Sequence, residues 1–420
     1  MQLELWFDFS CPYAYLASRR APGVARAFGA SLVWQPMLLG GVFRGVGAGA
    51  GPMATLGLAK AAHNHADMMR WADLFGVPLR VPAGHPMRTV RALRVLLALP
   101  HSRWPRAIDE LYAAYWQRGD DITGDEAIAA ALRRAAIGDD EIAAALARAD
   151  DFKDELRRRT DRAIELGIFG APAWVVSAEP GHAADRLVAW GQDRIPWVEA
   201  ALAGTEEVAR PFGDGAQGFA SPRTLDVYFD VASPFAYLAL TQLPRLAELA
   251  GVAPRLRPIL LGGLFRAIGQ ADVPLHAMVP AKRSYVEHEM ARWARWWGVP
   301  FEAPRKFPQR TVAAQRLCLL AGEDPRLATA LGRALWAEQR DLEDHDTLRG
   351  VLADCGLPRE WVERTREPGL KTALAECTAA AQAAGVFGVP TFVVDGRFVI
   401  WGQDRLDLVL RALGGWEPPS

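Results

Sequence analysis

The sequence predicts an α/β protein made of two copies of one domain, each a small mixed sheet interrupted by a helical insertion. The first observation is a long internal repeat. Leu5-Trp6-Phe7-Asp8-Phe9-Ser10-Cys11-Pro12-Tyr13-Ala14-Tyr15-Leu16-Ala17 aligns with Val227-Tyr228-Phe229-Asp230-Val231-Ala232-Ser233-Pro234-Phe235-Ala236-Tyr237-Leu238-Ala239 at an offset of 222, with seven of thirteen positions identical. The same offset pairs Leu38-Leu39-Gly40-Gly41 with Leu260-Leu261-Gly262-Gly263, Gly76-Val77-Pro78 with Gly298-Val299-Pro300, and Arg88-Thr89 with Arg310-Thr311. Farther on the offset shrinks, and Gly167–Pro172 matches Gly385–Pro390 while Trp190–Arg194 matches Trp401–Arg405. The second observation is the length of the repeat, which is too great for a solenoid unit and right for a whole domain, as 420 residues also suggest at roughly 100–200 per domain. The third is that both halves run through strand and helix patterns in the same order.

Each half opens on an apolar, β-rich strand (3–9; 225–231), passes a proline turn and enters a helix near Tyr13 or Phe235. A second strand follows (32–36; 255–259). The middle section has helical spacing, with Met68, Trp71, Ala72 and Phe75 in one copy and Met290, Trp293 and Trp297 in the other. The Ala-rich stretch 127–149 is helical by propensity. Each half closes as strand (173–176; 391–394), turn, strand (187–190; 398–401) and helix, with Asp395-Gly396 a strong hairpin signal. The order β-α-β, helices, β-β-α describes a thioredoxin-like sheet with a helical insertion. Periodicity fails between Thr205 and Thr224, which gives domains at 1–204 and 225–420 joined by a linker at 205–224.

Charge and composition narrow the function classes. With 48 Lys plus Arg against 49 Asp plus Glu, the net charge of −1 gives no basic footprint for nucleic acid. No apolar run is long enough to span a membrane, and the N-terminus lacks the basic and apolar regions of a signal peptide. Four scattered cysteines without a C-x-x-C pair argue against a zinc ribbon or dithiol motif and suggest a reduced, cytoplasmic setting. His63, His65, His276, His288 and His345 form no zinc signature, so no metal is assigned. Cys318, Cys355 and Cys377 fall in helical patterns and read as structural, and Trp71, Trp116, Trp293, Trp296 and Trp297 as core.

The opening motif, the Gly-Val-Pro turn and the Trp-Gly-Gln-Asp-Arg element together resemble the 2-hydroxychromene-2-carboxylate isomerases, which group with kappa-class glutathione transferases in the DsbA-like branch of the thioredoxin superfamily. The second half is the closer match, through 230–238, 260–269, Pro280-Ala281-Lys282-Arg283, 301–316 and 385–405; the first half matches more loosely. Most members carry one such domain per chain, so the tandem arrangement is a departure. The resemblance implies two DsbA-like thioredoxin domains, a glutathione cofactor and a small aromatic carboxylate as substrate. Relatives commonly pair as dimers, so the fused copies are expected to imitate a dimer within one chain.

Ser233-Pro234 and Cys11-Pro12 stand where a helix begins, and a helix amino end favours an anion. The resemblance makes that anion the glutathione sulfur and gives Ser233 the role of hydrogen-bonding it; a plain helix cap is the alternative. Cys11 has alanine, Ala14, at the position where a resolving cysteine would stand, and its place at a helix end predicts a lowered thiol pKa and a nucleophilic sulfur. Val389-Pro390 and Ala171-Pro172 correspond to the cis-proline turn of thioredoxin-like folds, which would leave the backbone of Val389 or Ala171 to pair with the cysteinyl residue of glutathione. Gln403-Asp404 and Gln192-Asp193 follow a strand, where the carboxylate suits the γ-glutamyl ammonium or a helix cap. Lys60 and Lys282 align at the offset of 222, a notable coincidence among five lysines. Either lysine, or Arg266, suits a ligand or substrate carboxylate, or is simply solvated. Lysine near Arg266 and asparagine near Gln270 are common in the family and missing here.

The expected function is glutathione-dependent cis–trans isomerisation resembling that of 2-hydroxychromene-2-carboxylate isomerase, acting on an intermediate of aromatic degradation. Two alternatives stand beside it: a glutathione transferase or thiol oxidoreductase centred on Cys11, and a non-catalytic glutathione-binding tandem protein.

Overall fold

A computed structural model describes residues 1–49, 51, 56–178, 187–205, 223–271, 273–322 and 324–419. The expected linker lies outside these residues except for 205, 223 and 224. The chain divides into two compact units. The first comprises Met1–Thr55, Met68–Glu206 and Val279–Lys282; the second comprises Leu56–Asp67, Glu207–Met278 and Arg283–Ser420. Each unit thus takes most of one sequence repeat and a short segment of the other.

The first unit holds a four-stranded sheet in the order β2-β1-β3-β4, with β1 at Gln2–Phe7, β2 at Ser31–Pro36, β3 at Ala173–Ser177 and β4 at Leu187–Trp190. β1 runs parallel to β2, with Leu5 opposite Trp34, and antiparallel to β3, with Leu5 opposite Trp174. The second unit repeats the order as β6-β5-β7-β8: β5 at Leu225–Phe229, β6 at Arg255–Pro258, β7 at Thr391–Val394 and β8 at Phe398–Trp401. The two central strands of each sheet are the most buried, as strands flanked on both sides and covered on both faces are. The hairpin β7–β8 turns on Asp395 and Gly396, both at positive φ, with Arg397 N–H donating to Val394 O at 3.0 Å. Two consecutive positive φ values are what a tight hairpin needs to follow the strand twist.

The helices Pro12–Ala27 and Pro234–Ala250 each carry proline in the first turn, where a missing N–H costs nothing. The Ala-rich stretch is two helices, Asp125–Arg134 and Asp139–Arg148, not one. Ala136 at positive φ and Gly138 at the second amino end break it, a local turn overriding the propensity of the alanines. Buried aromatic side chains line the first opening helix, with Tyr112 touching Phe9, Tyr15 and Phe7 at ring separations of 5.0, 5.4 and 6.0 Å. Of the tryptophans expected in the core, Trp116 is fully buried, whereas Trp71, Trp293, Trp296 and Trp297 are half-buried. Cys318 is buried, Cys355 and Cys377 are half-buried, and all four cysteines are free thiols.

Candidate functional site

Each unit builds the same frame at the carboxyl end of its first strand. In the first, Asp8 leaves β1 and its carbonyl accepts the Cys11 N–H at 3.1 Å, closing a turn. The buried Asp8 carboxylate accepts from the Ser10 N–H and hydroxyl, each at 3.0 Å, from the Leu39 N–H at 2.8 Å and from the Thr89 hydroxyl. In the second, Asp230 accepts from the N–H groups of Ala232 and Leu261 at 3.0 and 2.9 Å and from the Thr311 hydroxyl at 2.8 Å. Burial pushes both carboxyls above their ordinary value, and these hydrogen bonds pull the other way. One carboxylate therefore ties the turn, the next helix start and a third segment together in each unit. A tryptophan indole braces each turn, Trp116 donating to Phe9 O and Trp336 to Val231 O, both at 2.8 Å.

The residues that end the two turns behave differently. The Ser233 hydroxyl accepts the Ala236 N–H at 3.2 Å, so it caps its helix, and donates to Val389 O at 3.3 Å. The Cys11 thiol makes no capping bond and donates to Ala171 O at 3.2 Å. The Ala171–Pro172 and Val389–Pro390 peptide bonds are cis, and each Ser or Cys side chain faces the carbonyl that precedes the proline. The carbonyl of Val389 is thus already engaged by Ser233, not open on both sides as the sequence suggested.

The lowered pKa expected for Cys11 is overturned. The side chain is 7% exposed, and burial pushes the thiol up to about 12. The Ala14 and Tyr13 N–H groups at the helix end lower it, and the nearby Asp8 charge raises it, but desolvation outweighs both. A helix end activates sulfur only where the thiolate keeps some solvent, and here it is covered.

The cis-prolines lead into the second half of each frame. Pro172 O accepts the Gly191 N–H and Pro390 O accepts the Gly402 N–H, both at 3.0 Å. Gly191 and Gly402 have φ of 116° and 111°, and a Cβ would stand 2.3 Å from Asp193 Oδ1 or 2.5 Å from Asp404 Oδ1. Only glycine lets the following turn, Gln192–Arg194 or Gln403–Arg405, fold back under the proline. Asp193 pairs with Arg194 at 2.7 Å and Asp404 with Arg405 at 3.0 Å. Arg405 also holds Asp67 through two bonds of 3.0 and 3.2 Å.

The lysines exchange places relative to their repeats. Lys60, from the first repeat, lies in the second unit with its Nζ 5.3 Å from the Trp401 ring, and burial lowers its ammonium below the ordinary value. Lys282, from the second repeat, lies in the first unit with its Nζ 5.3 Å from the Trp190 ring. Lys282 thus counts with the first unit and Lys60 with the second, following the short segments each unit borrows. Arg266 is exposed near the end of the helix Leu261–Ala267.

Asp8, Asp230, Asp67, Arg194 and Arg405 went unassigned in the sequence. Comparing the repeats would have flagged the first two and the arginines, because each recurs in the other copy. Asp67 has an acidic counterpart at the same offset, buried Glu289, but nothing local in the sequence joins Asp67 to Arg405. Fit to a peptide-like ligand with both acidic and amine groups is visible at one further atom. Gln192 is 3% exposed and its Nε2 donates to nothing among the described residues, a buried donor suited to a ligand carbonyl or carboxylate. Among the described residues no cluster of histidine, cysteine and acidic side chains is placed to hold a metal ion, and no helix is long and apolar enough to cross a membrane.

The family of the DSBA-like thioredoxin domain matches residues 2–203 and again 224–414. The chain is 29% identical over 221 residues to glutathione S-transferase kappa 1 of Rattus norvegicus, a match spanning 48% of this chain and 96% of that one. It is 33% identical over 193 residues to 2-hydroxychromene-2-carboxylate isomerase of Sphingobium xenophagum, spanning 44% and 96%. A solved structure of 2-hydroxychromene-2-carboxylate isomerase aligns with a TM-score of 0.42 at 27% identity, covering 46% of this chain and 95% of that one. Half of this chain thus corresponds to nearly the whole of each relative.

Proposed function

Because this chain belongs, in each of its halves, to the DSBA-like thioredoxin domain family, we propose that it binds glutathione at the Ser233 site and isomerises an aromatic carboxylate resembling 2-hydroxychromene-2-carboxylate. The observation that carries the reading is the Ser233 hydroxyl at a helix amino end, its own donated bond a long 3.3 Å to Val389 O and therefore easily redirected to an incoming sulfur. Bound glutathione would supply a thiolate that adds to the activated alkene and leaves again after rotation about the resulting single bond, so the reaction balances without oxidant or reductant.

The residues divide the remaining work. Ser233 and the first amides of the helix hold negative charge on the sulfur. The backbone of Val389 and Pro390 lines up the cysteinyl segment, and Gln403 with Asp404, the latter fixed by Arg405, receives the γ-glutamyl end. Lys60, with Arg266 at the end of the helix Leu261–Ala267, attracts the carboxylate of ligand or substrate. At the first site Ala171, Pro172, Gln192, Asp193 and Lys282 offer the same binding parts, but Cys11 offers a protonated thiol where a sulfur anion would need a strong donor. That protonated state also weighs against a thiol oxidoreductase centred on Cys11.

The test is a calorimetric titration of the whole chain with glutathione, coupled to an isomerase assay on 2-hydroxychromene-2-carboxylate. The reading expects one tight equivalent per chain, lost in Ser233→Ala, together with turnover that needs glutathione. Glutathione binding without turnover would leave the non-catalytic alternative; no binding at all would remove the proposal.

A further inference from the structure

The helix Leu58–Phe75 belongs to the first repeat in sequence, yet its amino-terminal part through Asp67 lies in the second unit. His63 stands on that part, one turn after Lys60 and one turn before Asp67, so all three share a face. It is 7% exposed. Its Nε2 accepts the Trp401 N–H at 3.0 Å, and its ring meets Phe387 and Trp401 edge-on at 5.3 and 6.2 Å. A nitrogen that accepts an N–H carries no proton, so this contact requires the neutral imidazole protonated on Nδ1. Trp401 is the last residue of β8, and Gly402, Gln403 and Asp404 follow it directly. The side chain thus grips the backbone at the joint between the sheet and the turn that carries Asp404. The aligned residue of the second repeat is Tyr285, so the imidazole is particular to this helix.

We propose that His63 is a positioning residue of the second site: in its neutral form it pins the Trp401 amide, and with it the Gly402–Asp404 turn, in the geometry that receives glutathione, and its protonation releases that turn. The inference rests on the reading of this site as a glutathione site. Lys60 and Asp67 share the helix face of His63, and Asp404 and Arg405 follow the gripped Trp401 on the turn after β8. Asp67, Arg405 and Asp404 form one linked series of ion pairs.

Glutathione affinity of the whole chain is measured by calorimetry from about pH 5.5 to 8, a range that brackets an ordinary histidine near 6.5. Wild type, His63→Gln and His63→Phe are compared, the second-site component being the one lost in Ser233→Ala. Glutamine keeps an acceptor that does not titrate, and phenylalanine keeps a ring without an acceptor. Ionisation of the glutathione thiol affects all three alike and cancels in the ratios. Wild-type affinity is expected to fall about tenfold more than that of His63→Gln on acidification, the worth of one buried hydrogen bond. His63→Phe is expected to bind about tenfold more weakly at the alkaline end and to lack the extra acid step. Superimposable profiles for wild type and His63→Gln would overturn the inference and leave the glutathione reading standing. Absence of binding by wild type at every pH would overturn both.

Discussion

The two turns at the heads of the helices Pro12–Ala27 and Pro234–Ala250 share a buried aspartate, a bracing indole, a facing cis-proline and a glycine-led acidic turn, but they differ in two atoms' worth of chemistry. One ends in a capped serine, the other in a covered thiol that does not cap. Beneath the serine, Gln315 donates to Phe229 O and Ile259 O, both at 2.9 Å, and accepts the Val231 N–H at 3.2 Å. At the aligned position of the first copy stands buried Leu93. A backbone frame can thus be kept while its chemistry diverges, because the frame is fixed by packing and backbone bonds and the chemistry by a few side chains and their solvation.

The strongest test asks whether the frames are equivalent before asking how they differ. Arg194→Ala and Arg405→Ala each remove a buried cation from the acidic side chains it pairs with, Asp193 in one unit and Asp67 with Asp404 in the other. Removing one partner of a buried pair costs about 3–5 kcal/mol, so urea unfolding should shift heavily in both variants. A large loss in one variant and none in the other would break the equivalence. Next in size is Ser233→Ala, which should reduce isomerase kcat/KM on the order of 100-fold, as loss of a donor to a developing anion does, whereas Cys11→Ala should change it less than about threefold. Equal losses would mean that both sites work.

Much of this organisation is legible in the sequence. The repeat fixes the two domains, the Ser/Cys-Pro steps fix the helix starts, and Asp395-Gly396 fixes the last hairpin. What escapes it depends on the third dimension. The thiol of Cys11 reads as activated from its place at a helix end, because burial, which outweighs that effect, has no local signature. Lys282 shares its repeat with Ser233 but belongs to the other unit, and no local pattern announces that exchange. The break at Gly138 within an alanine-rich run hides for the opposite reason: it is local, and strong propensity on both sides masks it.

A smaller effect sharpens the comparison beneath the turns. Gln315→Leu, which installs the first copy's residue, leaves the Val231 N–H without its side-chain acceptor in a buried place. It should lower stability by about 1–3 kcal/mol and weaken glutathione binding at the same time. If stability falls and binding does not, the glutamine serves the fold alone and the two turns differ only in Ser233 and Cys11.

The smallest effect isolates the thiol. Cys11 has its folded-state pKa raised from an ordinary 9.0 to about 12 by burial, so the folded protein keeps the proton where the unfolded chain gives it up. The neutral thiol's contribution is therefore full below pH about 9 and drains as pH rises from about 9 toward about 12. Over the first unit of that window the loss is on the order of 1 kcal/mol. Urea midpoints measured between about pH 8 and 10 should fall more steeply for wild type than for Cys11→Ser, whose hydroxyl does not ionise there. Alkylation of Cys11 in the folded protein should stay slow across the same range. Parallel slopes with rapid alkylation would mean that solvent reaches the sulfur, would restore a thiolate at the first helix end, and would make the two sites chemical equals after all.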